Sequence, residues 1–279
     1  MTDALGRTQF PNFPGKYQLP GLMSASDYLD RMGFDRAAGG LGQVRGVILV
    51  YQGSLMRRVA ERWKLSQVRG WHLGDLYLLE HDGERIGVCG GFGFGAPVAA
   101  LVAEYLIALS AARIITVGTA GGLLRDLRAG DIVLCEGAIR DEGVSHHYLA
   151  PAPLAFPSEA LTARMASAVR RLGEARTGLS WTIDTPHRES ADEIAHYASM
   201  GALAVEMEAA ALFAVGCYRK VQTASSLVIS DSVAGGQWSP NFGSPEVQTS
   251  LDALFTAALI AMVSGPTPDS TFDRETGCP

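Results

Sequence analysis

The sequence has few of the features of secreted, membrane-spanning or zinc-binding chains. It has no uninterrupted apolar run of about 18 residues, so no transmembrane helix is expected. The first 20 residues contain prolines, glycines and polar residues rather than the apolar core of a signal peptide. The four cysteines form neither a CxxC pair nor a Cys/His ligand pattern, so no structural metal is expected. These absences favour a cytoplasmic protein in a reducing compartment.

Charged residues are also sparse. They make up 19% of the 279 residues, and 23 Lys and Arg against 29 Asp and Glu give a net charge of −6. An acidic surface does not attract polyanions, so a nucleic acid partner is not expected. A small anionic ligand would need a local cluster of arginines against this background. The 47% of hydrophobic residues is sufficient for one large globular domain.

The order of the predicted elements indicates a single α/β domain. Short apolar runs rich in β-branched residues alternate with helical segments from Gly46 onwards. Such alternation predicts a mixed central β-sheet flanked by helices on both faces. We therefore divide the chain into an N-terminal arm (1–45), a catalytic domain (46–265) and a flexible tail (266–279). The arm is either a surface segment or a cover for a neighbouring subunit or a site.

Local patterns predict individual elements of this domain. Residues 24–32 are expected to form a short capped helix within the arm, and Asp82-Gly83 is expected to turn a β-hairpin. The predicted strands are 46–51, 76–80, 85–89, 113–117, 131–135, 178–183, 203–205 and 221–230. The predicted helices are 54–64, 97–111, 158–173, 191–200, 206–217 and 246–263.

Glycine-rich segments follow several predicted strands, where ligands gather in open α/β sheets. In the first, Gly53 would let backbone N–H groups approach an anion at a helix N-terminus, and Arg57 lies one turn further on. The alternative is an ordinary strand–helix turn with a surface arginine. In a second such segment, which follows the predicted strand 113–117, Thr119 offers a hydroxyl and a backbone N–H to a phosphate or a ribose.

The segment from Gly90 to Pro97 has the glycine spacing of a dinucleotide fingerprint. It lies in the middle of the chain, however, and no acidic ribose anchor follows at the expected distance. We interpret it as a tight loop against which a substrate lies, and not as a nicotinamide site.

Three acidic residues complete the pattern. Glu206 and Glu208 open a largely apolar helix, where carboxylates also stabilise the helix N-terminus. Glu208 carries two acceptor oxygens suited to adjacent sugar hydroxyls. Asp231 ends an apolar strand, where a partly desolvated carboxyl can hold a proton near neutral pH and donate it. The alternative for Asp231 is a cap for the next turn.

Together these segments resemble the nucleoside phosphorylase family, which includes purine nucleoside phosphorylase, uridine phosphorylase and methylthioadenosine nucleosidase. The resemblance extends from Gly46 to Val263. It rests on the motifs Gly93-Phe-Gly-Ala-Pro97, Ile115-Thr-Val-Gly-Thr-Ala-Gly-Gly122, Ala129-Gly-Asp-Ile-Val133, Val205-Glu-Met-Glu-Ala-Ala-Ala211 and Ser230-Asp231.

The resemblance implies phosphorolysis of a purine nucleoside, with phosphate as co-substrate and neither a metal nor an organic cofactor. It also implies a homo-oligomer, either a dimer or a hexamer built from dimers, with sites at subunit boundaries. Asp231 would protonate the departing base. The resemblance assigns phosphate binding to Gly53, Arg57, Thr119 and a neighbour's Arg69, ribose binding to Met207 and Glu208, and base binding to Gly121, Pro186, His187 and Glu206.

The chain departs from this family pattern at two places. Thr116 stands where many phosphorylases have a phosphate-binding arginine, and no N-terminal histidine is present to reach the sugar's 5′-hydroxyl. The arm, or His146 and His147, are the candidates to replace that histidine. Hydrolysis by water is therefore an alternative, although the first glycine loop lacks the glutamate of hydrolytic relatives. A pyrimidine nucleoside phosphorylase and an inert binding protein are further alternatives.

Overall fold

The computed structural model describes residues 13–34 and 44–265. The predicted tail and parts of the predicted arm lie outside these residues. The capped helix predicted within the arm is confirmed as α1 (Ala25–Arg31), where Ser24 and Asp27 form a reciprocal capping box.

Within the described residues, the domain contains eleven strands and six further α-helices. The strands are β1 (Val47–Val50), β2 (Leu65–Gln67), β3 (Asp75–His81), β4 (Glu84–Gly90), β5 (Arg113–Gly122), β6 (Ile132–Asp141), β7 (Leu154–Ala155), β8 (Arg176–Ile183), β9 (Ala202–Glu206), β10 (Gln222–Ser232) and β11 (Ser239–Pro240). The helices are α2 (Gly53–Arg62), α3 (Ala96–Ala108), α4 (Glu159–Val169), α5 (Ala191–Ser199), α6 (Ala209–Arg219) and α7 (Pro245–Val263).

All eleven strands belong to one mixed sheet, which confirms the predicted α/β class. Part of this sheet closes on itself: β5 pairs with β10 in parallel and with β9 antiparallel, and β6 and β8 complete the ring. Strands β1, β4, β3 and β2 extend the sheet from β5 as an open wing. The predicted hairpin is confirmed by β3 and β4, which are joined through Asp82 (φ 51°) and Gly83 (φ 76°).

Strand β5 is longer than the predicted strand 113–117, because the glycine segment 118–122 continues it. Close packing against neighbouring strands requires glycine at positions 121 and 122. A Cβ atom on Gly121 would lie 3.1 Å from Val205 Cγ1 and 3.4 Å from Asp231 Oδ2. The glycines thus allow β9 and β10 to approach β5, and they bring the polar ends of these strands together.

The helices cover both faces of the sheet. Helices α2, α4 and α7 form one apolar cluster with the strands, and α1, α3 and α6 form another. Helix α7 has 19 residues and is long and apolar enough to cross a bilayer by length and composition alone. Its side chains Leu251, Leu254 and Phe255 are fully buried inside the protein, as expected for a core helix.

Candidate active site

A cavity of about 590 Å³ opens where β5, β9 and β10 end. The turn 186–189, the start of α5 and the segment 234–242 form its other walls. Eight of the site residues predicted from the sequence line this cavity: Thr119, Gly121, Pro186, His187, Glu206, Met207, Glu208 and Asp231. The structure therefore brings together the candidates for sugar and base binding.

Asp231 is the penultimate residue of β10, with only 9% of its surface exposed. Both carboxylate oxygens accept hydrogen bonds. The Ser230 hydroxyl donates to Oδ1 at 2.8 Å, and the indole nitrogen of Trp238 donates to Oδ2 at 2.9 Å. The carboxylate is therefore held at the cavity wall, and it does not cap the following turn.

Glu206 is the last residue of β9 rather than the first residue of a helix. Its Oε2 accepts from the backbone nitrogens of Glu208 (2.8 Å) and Ala209 (2.7 Å), while the hydroxyls of Ser180 and Thr182 donate to Oε1. Burial raises the pKa of this carboxyl despite these donors. Because both oxygens are engaged, Glu206 mainly fixes the start of α6 and supports its neighbours.

Glu208 is the N-cap residue of α6 and is 7% exposed. Its Oε1 accepts a hydrogen bond of 2.6 Å from the backbone nitrogen of Gly95, at the end of the glycine loop. Burial, and then the nearby charge of Glu206, raise the pKa of Glu208. The glycine loop thus orients Glu208 on the cavity wall beside Met207.

Gln52 and Thr119 form another part of the cavity wall. Gln52 Nε2 donates a 2.7 Å hydrogen bond to Thr119 Oγ1, whereas Gln52 Oε1 is buried without a partner. Gln52 is also the N-cap residue of α2 but makes no side-chain capping bond. The first backbone N–H groups of α2 therefore lack a side-chain acceptor at a helix N-terminus, which favours anions.

The other nominated phosphate ligands do not line the cavity. Gly53 and Arg57 are exposed on the first turns of α2, and a Cβ atom on Gly53 would meet no atom within 4 Å. Arg69 is exposed between β2 and β3. Among the described residues that line the cavity, none is Lys or Arg, and four are acidic: Glu189, Glu206, Glu208 and Asp231.

The two histidines expected to replace the N-terminal histidine of the family also lie outside the cavity. His146 and His147 belong to a short turn after β6 and do not contribute to the cavity wall. Arg140 organises this turn by donating to the Ser145 hydroxyl at 2.9 Å and to the Ala150 carbonyl at 2.7 Å. Burial first, and then Lys16 of the arm, lower the pKa of His147.

Sequence reasoning missed several wall residues: Tyr51, Gln52, Glu189, Trp238 and Phe242. Gln52 directly precedes Gly53, which was predicted to bind phosphate, so its position in the sequence could have identified it. Glu189 follows the nominated Pro186 and His187 in the same short turn. Trp238 and Phe242 lie in an irregular segment without periodicity, and nothing in the sequence connects them to Asp231. Among the described residues, no group of three or more His, Cys, Asp or Glu is arranged to hold a metal ion.

Comparison with known proteins shows the family to which the chain belongs. The sequence profile of the Phosphorylase superfamily matches residues 47–260. A DeoD-type purine nucleoside phosphorylase from Myxococcus xanthus is 32% identical over 189 residues, which is 67% of this chain and 77% of that protein. A uridine phosphorylase from Treponema pallidum is 35% identical over 152 residues, which is 49% of this chain and 58% of that protein.

Solved structures show the same fold. The purine nucleoside phosphorylase of Toxoplasma gondii, in complex with immucillin-H, superposes with a TM-score of 0.72 at 20% identity, covering 79% of this chain and 91% of that chain. A uridine phosphorylase from Vibrio fischeri gives a TM-score of 0.67 at 25% identity, covering 79% and 93%. With a profile match over most of its domain, this chain belongs to the phosphorylase superfamily.

Proposed function

We propose that this protein is a nucleoside phosphorylase that transfers the pentose of a purine nucleoside to inorganic phosphate. The observation that carries the proposal is the presence of Asp231, Glu208 and Thr119 on the wall of one cavity. They supply a proton donor, a sugar ligand and a phosphate ligand. Relatives named purine nucleoside, guanosine and uridine phosphorylase support the reaction class.

Asp231 acts at the base. Cleavage of the bond between C1′ and the base nitrogen leaves negative charge on the departing base, and a carboxyl proton delivered to N7 of a purine neutralises it. Ser230 and Trp238 fix the orientation of Asp231 through hydrogen bonds to its two oxygens. Pro186, His187 and Gly121 form the nearby wall for the base, supported by Glu206.

Glu208 and Met207 bind the sugar. A carboxylate accepts hydrogen bonds from both hydroxyls of a ribose diol, and the Gly95 nitrogen keeps Glu208 in one orientation. Cleavage passes through a state in which positive charge grows on the sugar ring. When they are ionised, the buried carboxyls of Glu208 and Glu206 favour that charge electrostatically.

Phosphate binds next to Thr119 in this proposal. The hydroxyl of Thr119 receives a hydrogen bond from Gln52, so its own proton is directed to another acceptor. The N-terminus of α2 adds unsatisfied N–H groups at Gly53, with open space above this residue. Arg57 from α2 and Arg69 of a second copy supply the positive charge that the cavity wall lacks. The active form is accordingly a homo-oligomer, and we place it in the cytoplasm.

The absence of Lys and Arg from the described cavity wall favours a second candidate, hydrolysis of the same bond by water. A substrate panel separates the candidates. Inosine, adenosine and uridine are each incubated with and without phosphate, and release of the base is followed. The proposal requires phosphate-dependent release that is faster for a purine nucleoside. Equal release without phosphate supports hydrolysis, and faster uridine cleavage assigns a pyrimidine substrate.

A further inference from the structure

The cavity wall contains a carboxyl group that the proposed reaction does not use. Glu189 lies between the turn Pro186–Arg188 and helix α5, and its side chain is half-buried. It makes no hydrogen bond or salt bridge with any residue in the part of the chain that the structure describes. Its half-buried carboxyl keeps its hydrogen-bonding capacity for solvent or for a ligand in the cavity.

Rigid flanking structure holds Glu189 in place. The next residue, Ser190, caps α5 and forms a reciprocal capping box with Glu193, with a backbone hydrogen bond of 3.0 Å from Ser190 to Glu193 Oε2. Ala191 and Ile194 of the same helix also line the cavity. Glu189 is therefore presented to the cavity by a helix start and not by a free loop.

Several charged groups surround this carboxyl. Burial, then Asp231 of β10 and Glu193 of α5, raise the pKa of Glu189 to about 7. His187 and Arg188 lie in the same turn, and Glu206 and Glu208 are the remaining acids of the cavity wall. Glu189 thus changes its charge near neutral pH, and this change alters which hydrogen bonds it makes.

Resting on the proposed function, we infer that Glu189 binds the exocyclic group at position 6 of the purine and so determines base preference. In a purine, N7 and the substituent at position 6 lie on the same edge of the ring. A carboxyl that adjoins the residue facing N7, on the side of the six-membered ring, meets that substituent, and the inference places Glu189 there. Asp231 is the residue proposed to act at N7, and Glu189 lines the same cavity, close enough for the two charges to interact.

The inference predicts a preference that depends on pH. An ionised carboxylate only accepts hydrogen bonds and matches a 6-amino group, whereas a protonated carboxyl donates one to a 6-oxo group. The preference for adenine over hypoxanthine should therefore rise with pH. Groups that act equally on both bases cancel in the ratio of the two dissociation constants.

Calorimetric titration of the full chain with adenine and hypoxanthine tests the inference without requiring turnover. From about one pH unit below to one above the Glu189 pKa of about 7, the hypoxanthine-to-adenine ratio of dissociation constants should rise roughly tenfold, typical of a hydrogen bond to a charged group. In Glu189→Gln the ratio should not vary with pH, because the amide does not titrate.

Glu193→Gln is the matched control, because glutamine also serves in a capping box. It removes one neighbouring charge, so the ratio should still change with pH but with its midpoint at lower pH. A constant ratio in the parent protein, an unchanged pH dependence in Glu189→Gln, or failure of both bases to bind would overturn the inference. Phosphate-dependent cleavage is measured separately, so base preference without cleavage contradicts only the proposed function.

Discussion

The indole nitrogen of Trp238 donates a 2.9 Å hydrogen bond to Oδ2 of Asp231, the carboxylate proposed to protonate the base. The other oxygen, Oδ1, accepts from the buried Ser230 hydroxyl. Each carboxylate oxygen can accept a further hydrogen bond, so Asp231 can meet a base while both donors stay in place. Trp238 is 63% exposed and Ser230 only 1%, so the indole is the donor that a bound nucleoside reaches.

We predict that binding of a purine base changes the fluorescence of Trp238, because the indole lies on the cavity wall beside Asp231 and a bound base displaces water from it. The change should disappear in Trp238→Phe, which keeps an aromatic ring but has no N–H donor. Trp181→Phe is not a suitable control, since this tryptophan is fully buried. Trp63→Phe, at the opposite end of α2 from Gln52 and packed against Phe255, should leave the ligand-induced change intact. A change that survives in Trp238→Phe contradicts this placement of the base.

Asp231→Asn should lower kcat by about 10²- to 10⁴-fold, the range for loss of a general acid. Asparagine retains the size and accepts hydrogen bonds but does not transfer a proton, so nucleoside binding should change much less. Steady-state kinetics with a purine nucleoside measure both quantities. Asp126→Asn, at an exposed residue paired with Arg176, is the control and should behave as the parent. A kcat for Asp231→Asn equal to that of the parent would show that Asp231 does not protonate the base.

The fold was largely predictable because its elements depend on local patterns. The Asp82-Gly83 turn defines a hairpin without reference to the rest of the chain, and Ser24 with Asp27 defines a capped helix in the same way. The closed ring of strands was not predictable, since β5 pairs with β9 and β10 from about a hundred residues further on. The same distant packing requires glycines at 121 and 122, which lie beyond the end of the predicted strand 113–117.

The site residues, like the fold, were predictable where they lie in local motifs and not where they depend on distant packing. Residues inside compact motifs, such as Glu208 and Asp231, were found and lie on one cavity. Glu189 and Trp238 were missed because an isolated acid in a turn and an isolated aromatic in an irregular segment have no characteristic spacing. The positions of Arg57 and Arg69 depend on side-chain rotation and, in the proposal, on a second copy of the chain, neither of which sequence spacing describes.

The buried acids should make the unliganded protein less stable as pH rises. Burial raises the folded-state pKa of Glu208 above the ordinary carboxyl value of 4.5, so the folded state binds more protons than the unfolded state above that value. The free energy of unfolding then decreases with pH until the folded-state pKa is passed. Guanidinium denaturation at about pH 5.5 and pH 7.5 should show a smaller decrease for Glu208→Gln than for the parent.

Glu174→Gln is the control for this measurement, because Glu174 is an exposed carboxyl between α4 and β8. Its pH dependence should match that of the parent. If Glu208→Gln and the parent lose the same free energy of unfolding over this range, Glu208 does not hold its proton in the folded state.

Thr119→Val should raise KM for phosphate roughly tenfold or more, the loss expected for one hydrogen bond to a charged group. Valine keeps the shape of threonine and removes only the hydroxyl that Gln52 orients. KM for the nucleoside should change less. Thr177→Val, at an exposed position of β8, should alter neither value. Equal increases in both KM values would indicate general damage to the cavity and not a phosphate ligand.

Phosphorus NMR of the complete reaction tests the central claim most directly. The full chain is incubated with inosine and inorganic phosphate, and the phosphorus spectrum is followed while hypoxanthine is released. If phosphate attacks C1′, a pentose 1-phosphate signal grows in step with the free base, and inorganic phosphate declines by the same amount. Release of hypoxanthine with an unchanged phosphate signal would show that water is the acceptor and would contradict phosphorolysis.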